Sequence, residues 1–351
     1  MISLLRNNKP NIQYVVFEAT QRCNLNCSYC YNHWKGNFKD QKLSPENYNH
    51  LKNTISKLFK SANINHITFS GGEPLLVERL KELSLFCRFK RASVSVITNG
   101  NAGTEDDIQQ LLSIGVKLFE LPFHSFSPDI HDEMTGVKGS WSKAKTRMTF
   151  IRDAGGMVVP VIVITKYNFQ TIADTLKCLN DMGFKRIMLN RYNIGGINTN
   201  SPLNVLPSKD ELNFAFYQAS ETGKKLNLDL SSNVCTPHCI LNPSDYKNIR
   251  FSNCSADINK RPLTITATGD LRFCNHSPVV LGNIFTDTIE NILAKGQQSN
   301  DCLTIPSFCN NCNLYDKCLG GCRAAAQQAG KTFHDVDPIT EYMKHEFTCY
   351  T

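Results

Sequence analysis

The stretch Arg22-Cys-Asn-Leu-Asn-Cys-Ser-Tyr-Cys30 carries three thiols on one short segment. Cys23, Cys27 and Cys30 have the spacing C-x3-C-x2-C, so each can put a thiolate on a different iron of a cubane cluster. The fourth iron then lacks a protein ligand, whereas a cluster built for electron transfer alone normally has four cysteines. Such an open site can take a chelating small molecule. By spacing alone the same trio is also half of a zinc site. Ser70-Gly-Gly-Glu-Pro74, about 40 residues on, reads by itself as a turn.

A second set of thiols lies in the last third of the chain. It runs Cys254, Gly269, Cys274, then Cys309-x2-Cys312-x5-Cys318-x3-Cys322, and ends with Cys349. Spacing leaves a zinc ribbon and an iron–sulfur site both open here. The chain has 15 cysteines, an odd number, and no export signal, which argues for metal ligation rather than disulfides. Cys87 and Cys178 sit in amphipathic helical patterns and read as small packing hydrophobes.

The bulk composition suits a globular enzyme. Over 351 residues, 41% are hydrophobic and 20% charged, with a formal net charge of +7. No block of five or six basic residues occurs, so nucleic acid is not indicated as a partner. The N-terminus lacks an apolar core of signal-peptide length, and no apolar run reaches the roughly 18 residues of a membrane span. No membrane partner is therefore expected, and the expected location is cytoplasmic.

The elements that must position these residues alternate along the chain. The pattern predicts strands at Tyr14–Glu18, His66–Ser70, Ser93–Thr98, Lys117–Phe123, Met157–Ile164 and Arg186–Asn190. Helices are predicted at Pro45–Ser61, Leu75–Phe86, Thr104–Ile114, Trp141–Ala154, Phe169–Met182 and Ser208–Thr222, the last with Ser208 and Glu211 as a capping box. Serial strand–helix units imply right-handed crossovers and a parallel sheet. The expected fold is α/β, a partial (β/α)6 barrel over 1–230. A smaller cysteine-rich domain follows over 231–351, built from a β-hairpin at Leu263–Cys274 and short helices, after an irregular stretch at 231–262. Ligands of such a sheet gather at the carboxyl ends of its strands, where the cysteine loop, Ser70–Pro74 and Thr98-Asn-Gly100 all fall.

With C-x3-C-x2-C after the first strand and Gly71-Gly72-Glu73-Pro74 after the second, the first domain resembles the radical S-adenosylmethionine superfamily. The resemblance implies a [4Fe–4S] cluster on Cys23, Cys27 and Cys30 that binds S-adenosylmethionine and cleaves it to methionine and a 5′-deoxyadenosyl radical. It implies that Tyr29 contacts the adenine and that Gly71, Gly72, Glu73 and Pro74 hold the methionine ammonium. Asn99, His124 and Ser125 fall where relatives contact ribose or the methionine carboxylate. The tail resembles the SPASM extension, which implies two auxiliary [4Fe–4S] clusters. Cys254, Cys274 and Cys322 would serve the nearer one, and Cys309, Cys312, Cys318 and Cys349 the farther one. Six residues before Cys254, where sulfatase-maturing relatives have a further thiolate, stands Asn248. Either Cys235 or Cys239 loops in to complete the nearer cluster, or one iron stays open to a substrate thiolate.

This architecture implies a peptide or protein substrate, modified oxidatively to a cross-link or thioether, with the auxiliary clusters carrying the released electron away. Small molecules such as a sugar or nucleoside, altered by dehydrogenation or epimerisation, are the alternative, with Cys235 or Cys239 as a hydrogen-atom donor in the second case. Sulfatase maturation is disfavoured by Asn275 where those relatives have an Asp base, followed here by His276. Arg191, at the end of strand six, reads equally as a carboxylate-binding group and as a structural ion pair. The first strand starts near residue 13, which leads to the expectation of a separate leader-peptide-binding protein, beside an external reductant such as flavodoxin or ferredoxin. A non-enzymatic iron–sulfur carrier or zinc scaffold is the reading from a different class.

Overall fold

The computed structural model describes residues 9–35, 47–255 and 257–343. An apolar run flanked by polar residues starts the sheet: β1 (Asn11–Thr20) is buried along its whole second half. Its Phe17 meets Phe69 of β2 (Asn63–Gly71) edge to face, ring centroids 5.8 Å apart. Between them, α1 (Tyr48–Ser61) is capped by Asn47, whose side chain accepts from His50 N, and buries Leu51, Ile55 and Leu58 on one stripe.

The alternation continues through α2 (Leu80–Phe89), β3 (Ser93–Ile97), α3 (Glu105–Ser113) and β4 (Leu118–Pro122). Then come α4 (Pro128–Thr135), α5 (Ser140–Asp153), β5 (Met157–Ile164), α6 (Ile172–Asp181), β6 (Arg186–Arg191) and α7 (Lys209–Lys225). The capping box expected at Ser208 and Glu211 is present at the start of α7. One helix was not expected. Ser127-Pro128 opens α4 with proline in its first turn, a start signal that the short apolar pattern behind it hides.

Two further short parallel strands, β7 (Asp229–Ser232) and β8 (Ile249–Phe251), extend the sheet through a stretch that the sequence leaves irregular. Four and three residues are too few for an alternation to stand out. The hairpin is β9 (Leu263–Thr266) and β10 (Asp270–Arg272), turning at Gly269 with φ +89°. It is followed by β11 (Val280–Asn283) and α8 (Ile289–Asp301). Short helical turns at Tyr315–Cys318, Arg323–Gln328 and Ile339–Tyr342 end the described chain.

All strands form one open sheet in the order β11-β10-β9-β1-β2-β3-β4-β5-β6-β7-β8. The run from β1 to β8 is parallel and does not close on itself. β9 pairs parallel to β1, with Val15 opposite Leu263 and Phe17 opposite Ile265. The cysteine-rich part is thus joined to the first strand by backbone hydrogen bonds, and the two cysteine regions share one framework.

Candidate functional site

The loop from Gln21 to Tyr31 leaves the carboxyl end of β1 and is fastened by its own backbone. Gly72 N donates to Thr20 O at 2.7 Å and Glu73 N to Arg22 O at 2.8 Å. On the other side Asn26 N and Ser28 N donate to Thr135 O and Met134 O at the end of α4. Glycines make these approaches possible. A Cβ on Gly71 would stand 2.2 Å from Thr20 O, and on Gly72 2.0 Å from Arg22 O. A Cβ on Gly136, which closes α4 at φ +69°, would stand 2.6 Å from Asn26 O, and one on Gly196 2.0 Å from Cys30 O. The glycine pair therefore packs the cysteine loop onto β2, and Gly71 O accepts from Asn32 Nδ2 at 3.1 Å.

Glu73 is fully buried and acts as a clamp. Its carboxylate accepts from Leu75 N at 2.9 Å, Thr98 Oγ1 at 2.6 Å and Asn99 N at 2.7 Å. Burial raises its pKa, against those hydrogen bonds. Pro74 starts the 3-10 turn that Glu73 caps. Asn99, held in this way, donates from Nδ2 to Asn24 Oδ1 at 2.8 Å and to Cys23 Sγ at 3.7 Å.

Tyr29 is half-buried, with its hydroxyl hydrogen-bonded to Cys27 and its ring edge-on to His124, centroids 4.3 Å apart. His124 accepts at Nδ1 from Val163 N, and its Nε2 is buried with no hydrogen-bond partner among the described residues. Burial, then the neighbouring His131, pushes the His124 pKa well down, so the ring is neutral. Ser125 points elsewhere, sharing a hydrogen bond with Thr171 Oγ1 at 3.2 Å.

The thiols themselves fit a metal cluster. Burial pushes Cys27 up to about 12, with the charges of Cys30 and Cys23 adding to the cost, and burial raises Cys30 as well. Lys35 opposes this in both, too little to hold three thiolates alone. Iron would supply the missing positive charge, and the orphan His124 Nε2 is an atom that a bound ligand completes. Among the described residues no three His, Cys, Asp or Glu could hold a single metal ion. A cubane takes each thiolate on a different iron, so its ligands stand further apart than those of one ion.

The second set gathers from four distant segments. Cys235 and Cys274 pack against the small cluster of Cys322, Ala324 and Ala325. Cys235 and Cys254 are hydrogen-bonded thiol to thiol; that bond, then burial, raises Cys235, while the same bond lowers Cys254. Asn248 instead bonds Ser220 on α7, through its Nδ2 to Ser220 O at 2.9 Å. Cys239 lies within the electrostatic reach of Cys318, Cys312 and Cys309. Cys349 lies outside the described residues. Cys87 is fully buried on α2 and Cys178 is half-buried on α6, each away from these groups.

Arg191 is buried in an ion pair with Asp337, the structural alternative of its two readings. It also donates to Thr236 Oγ1 at 3.1 Å, Tyr192 O at 3.0 Å and Cys235 O at 2.6 Å. Asp337 in turn accepts from Cys322 N at 2.9 Å. His276, likewise structural, meets Ile194 O through Nε2 at 3.3 Å, and burial with the nearby Arg191 lowers it to about 3.

Between the two thiol regions stands Tyr31, a residue the motif reading passed over. Its hydroxyl accepts from Asn275 Nδ2 at 2.5 Å, and its ring lies 5.1 Å from that of His276. Burial raises its pKa first, followed by the charges of Cys30, Glu18, Cys274 and Glu120. Gln328 also escaped notice. It donates to Tyr31 O at 2.9 Å and His276 O at 2.6 Å, and accepts from Gly196 N at 2.8 Å. Adjacency to Cys30 could have pointed to Tyr31. Nothing in the sequence marks Gln328.

Residues 17–179 match the Radical SAM superfamily. The chain is 23% identical over 334 residues to PqqA peptide cyclase of Xanthomonas campestris pv. campestris, covering 93% of this chain and 86% of that one. Among solved structures it is similar to anSMEcpe with bound AdoMet (TM-score 0.71, 17% identity, 95% of both chains). It is also similar to Streptococcus suis SuiB bound to precursor peptide SuiA (TM-score 0.70, 16% identity, 94% of this chain and 75% of that one).

Proposed function

We propose, from the premise that this chain is a radical SAM enzyme with its family domain at residues 17–179, that it oxidatively modifies a peptide or protein substrate. When bound, a [4Fe–4S] cluster and S-adenosylmethionine supply a 5′-deoxyadenosyl radical able to take a hydrogen atom from carbon. Cys23, Cys27 and Cys30 would hold the cluster. Tyr29 and the free Nε2 of His124 border the cofactor's space, and Glu73 holds Asn99 beside Cys23.

The observation that carries the reading is the position of Tyr31. It follows Cys30 in the chain, and its hydroxyl accepts from Asn275, the residue after Cys274. A substrate that reached Tyr31 would lie near both thiol regions. A radical made at the first can be oxidised at the second, and the electron leaves through the tail. A radical quenched by hydrogen return would need no second metal region. The relatives support the substrate class, being named for a peptide cyclase and for a complex with a precursor peptide. A flavodoxin or ferredoxin would supply electrons to the first cluster. Among the described residues no helix is long and apolar enough to cross a membrane.

The test is anaerobic reconstitution with iron and sulfide, followed by S-adenosylmethionine, reductant and a set of candidate peptides, including any short peptide found encoded beside the gene. The expected result is 5′-deoxyadenosine together with a peptide lighter by two hydrogens. Formation of 5′-deoxyadenosine with a sugar or nucleoside, and none with peptide, overturns the substrate class. None under any condition overturns the enzyme.

A further inference from the structure

We propose that the polar face of the sheet carries a proton exit. Glu120 takes the proton that leaves the substrate, and Tyr14, Thr68, Ser95 and His66 pass it to solvent at the amino end of the strands. This deepens the function above and rests on its premise that a peptide is oxidised. A peptide that loses two hydrogens gives up one as an atom, to the 5′-deoxyadenosyl radical. The other leaves as an electron, through the tail, and a proton, which needs an acceptor of its own.

The strand register sorts the side chains of β1 to β4 onto two faces. One reads Phe17, Phe69, Val96 and Phe119 across neighbouring strands and belongs to the hydrophobic core. The other is polar: His66 stands between Tyr14 and Ser93, and Thr68 stands beside Ser95. Glu120 shares this face, two residues and about 7 Å along β4 from Leu118, the partner of Ser95. It pairs with Ile97, the last residue of β3, and Thr98 N donates to Glu120 O at 3.0 Å. Glu120 is thus fixed beside the Thr98–Gly100 turn, which Glu73 holds at the carboxyl end.

The polar side chains below it are joined in a line. Thr68 Oγ1 donates to the Tyr14 hydroxyl at 2.7 Å and lies 2.7 Å from Ser95 Oγ. Ser95 Oγ is 2.8 Å and Thr68 Oγ1 3.1 Å from His66 Nε2, and Ser93 Oγ is 2.7 Å from Nδ1. Ser93 gives its hydrogen to Asn65 O at 3.2 Å, so it accepts from Nδ1 and leaves Nε2 bare on the Ser95 side. Hydroxyl hydrogens turn about their C–O bonds. With Tyr14 giving to Thr68, Thr68 to Ser95 and Ser95 to Nε2, each hydrogen is used once and all point towards His66. Thr68 and Ser95 are buried, His66 is half-buried and Ser93 exposed, so the line ends at water.

The two ends of the line suit their parts. Glu18, on the same face, is neutralised by Arg272, whereas the Glu120 carboxylate has no hydrogen-bond or ion-pair partner among the described residues. Burial raises the pKa of Glu120 and lowers that of His66. A raised carboxylate takes up a proton more readily, and a lowered imidazole gives one up to water more readily.

The experiment measures the ratio of modified peptide to 5′-deoxyadenosine in the reconstituted full-length chain. Glu120→Gln should lower that ratio about a hundredfold, the lower end of what a positioned proton acceptor contributes. His66→Ala should lower it by a smaller factor, and added imidazole should restore it. His66→Gln keeps hydrogen bonds to Ser93 and Ser95 but takes up no proton, and should stay low. A readout free of the reaction checks that the line is connected. Tyr14→Phe keeps the ring stacked on His66, centroids 5.0 Å apart, and removes only the hydroxyl, so the ring nitrogen resonances of His66 should shift. The path is overturned if Glu120→Gln or His66→Gln matches the parent's ratio, if imidazole fails to restore His66→Ala, or if Tyr14→Phe leaves the His66 resonances unchanged. A parent chain that makes 5′-deoxyadenosine and no modified peptide overturns the function above, and the path with it.

Discussion

The two thiol regions of this molecule are built in opposite ways. The first takes its three cysteines from one loop and leans that loop on the framework around it: β1, the Gly71-Gly72 turn, α4 and Asn99. The second takes its thiols from the segments at 235–239, 254, 274 and 309–322, and holds them with side chains, above all the buried Arg191–Asp337 pair. A loop templated by backbone can keep its shape with one ligand position left open. A site assembled from distant segments needs its side-chain ties and a full set of thiols to exist at all. The difference teaches which region can do chemistry on a small ligand and which is suited to storing or passing electrons.

The hardest break falls on the first region. Cys27→Ala should reduce 5′-deoxyadenosine formation to background, since the remaining two thiolates cannot hold a cluster with a single open iron. The visible absorbance of the tail should persist. If the tail absorbance disappears as well, the two regions are not independent and the comparison fails.

The next largest effect falls on the second region. Arg191→Ala leaves the Asp337 carboxylate buried and unpaired, with Cys235 O and Thr236 Oγ1 also losing a donor. Breaking such a pair costs about 3–5 kcal/mol, read as a lower urea midpoint. Replacing both partners with apolar residues, Arg191→Met with Asp337→Leu, should recover much of that loss, because no charge is left stranded. Iron in these variants should be lost from the tail before it is lost from the first loop.

The same contrast explains what could be read in advance. The C-x3-C-x2-C loop and Gly71-Gly72-Glu73-Pro74 are local in sequence and local in space, so their spacing was enough to find them. The six long strands and the capping box at Ser208 were visible because periodicity and caps are short-range signals. What Glu73 does was not visible, for its three donors come from two different segments. The partnering of Cys235 with Cys254, and of Arg191 with Asp337, depends on chain crossings that no spacing encodes. The strands β7 and β8 are too short to show an alternation, and they form because β6 offers an edge to β7 and β7 in turn offers one to β8. Distant ties are where reading the sequence stops.

A change of pH should sharpen the contrast by loosening the flank of the first loop. His131, on α4, is buried and its pKa falls from 6.5 to about 4, burial outweighing the nearby Asp132. The folded chain therefore binds fewer protons than the unfolded chain in this window. That stability is whole above the unfolded value near 6.5 and drains away as the pH falls towards 4. At about 1.4 kcal/mol for each pH unit, the loss reaches about 3 kcal/mol. His131→Asn keeps an acceptor for His124 N and should flatten the slope of denaturation midpoint against pH. An unchanged slope would assign the acid sensitivity elsewhere.

The smallest effect is also the most direct comparison of the two designs. Asn99 tethers the first loop through Asn24 Oδ1, and Asn253 tethers the tail by donating from Nδ2 to Lys317 O at 2.9 Å. Each is a neutral, exposed hydrogen bond, and each should contribute about 1 kcal/mol to whatever it holds in place. In the first loop, Asn99→Ala leaves the backbone ties to Thr20, Arg22, Met134 and Thr135 untouched. The cluster should stay, while affinity for S-adenosylmethionine, measured by equilibrium dialysis, weakens about fivefold, the equivalent of that 1 kcal/mol. In the tail, Asn253→Ala removes a tie beside both Cys254 and Cys318 and should speed iron loss to a chelator without altering affinity for S-adenosylmethionine. If Asn99→Ala instead strips iron from the first loop, side chains rather than backbone hold that loop, and the proposed contrast between the regions is wrong.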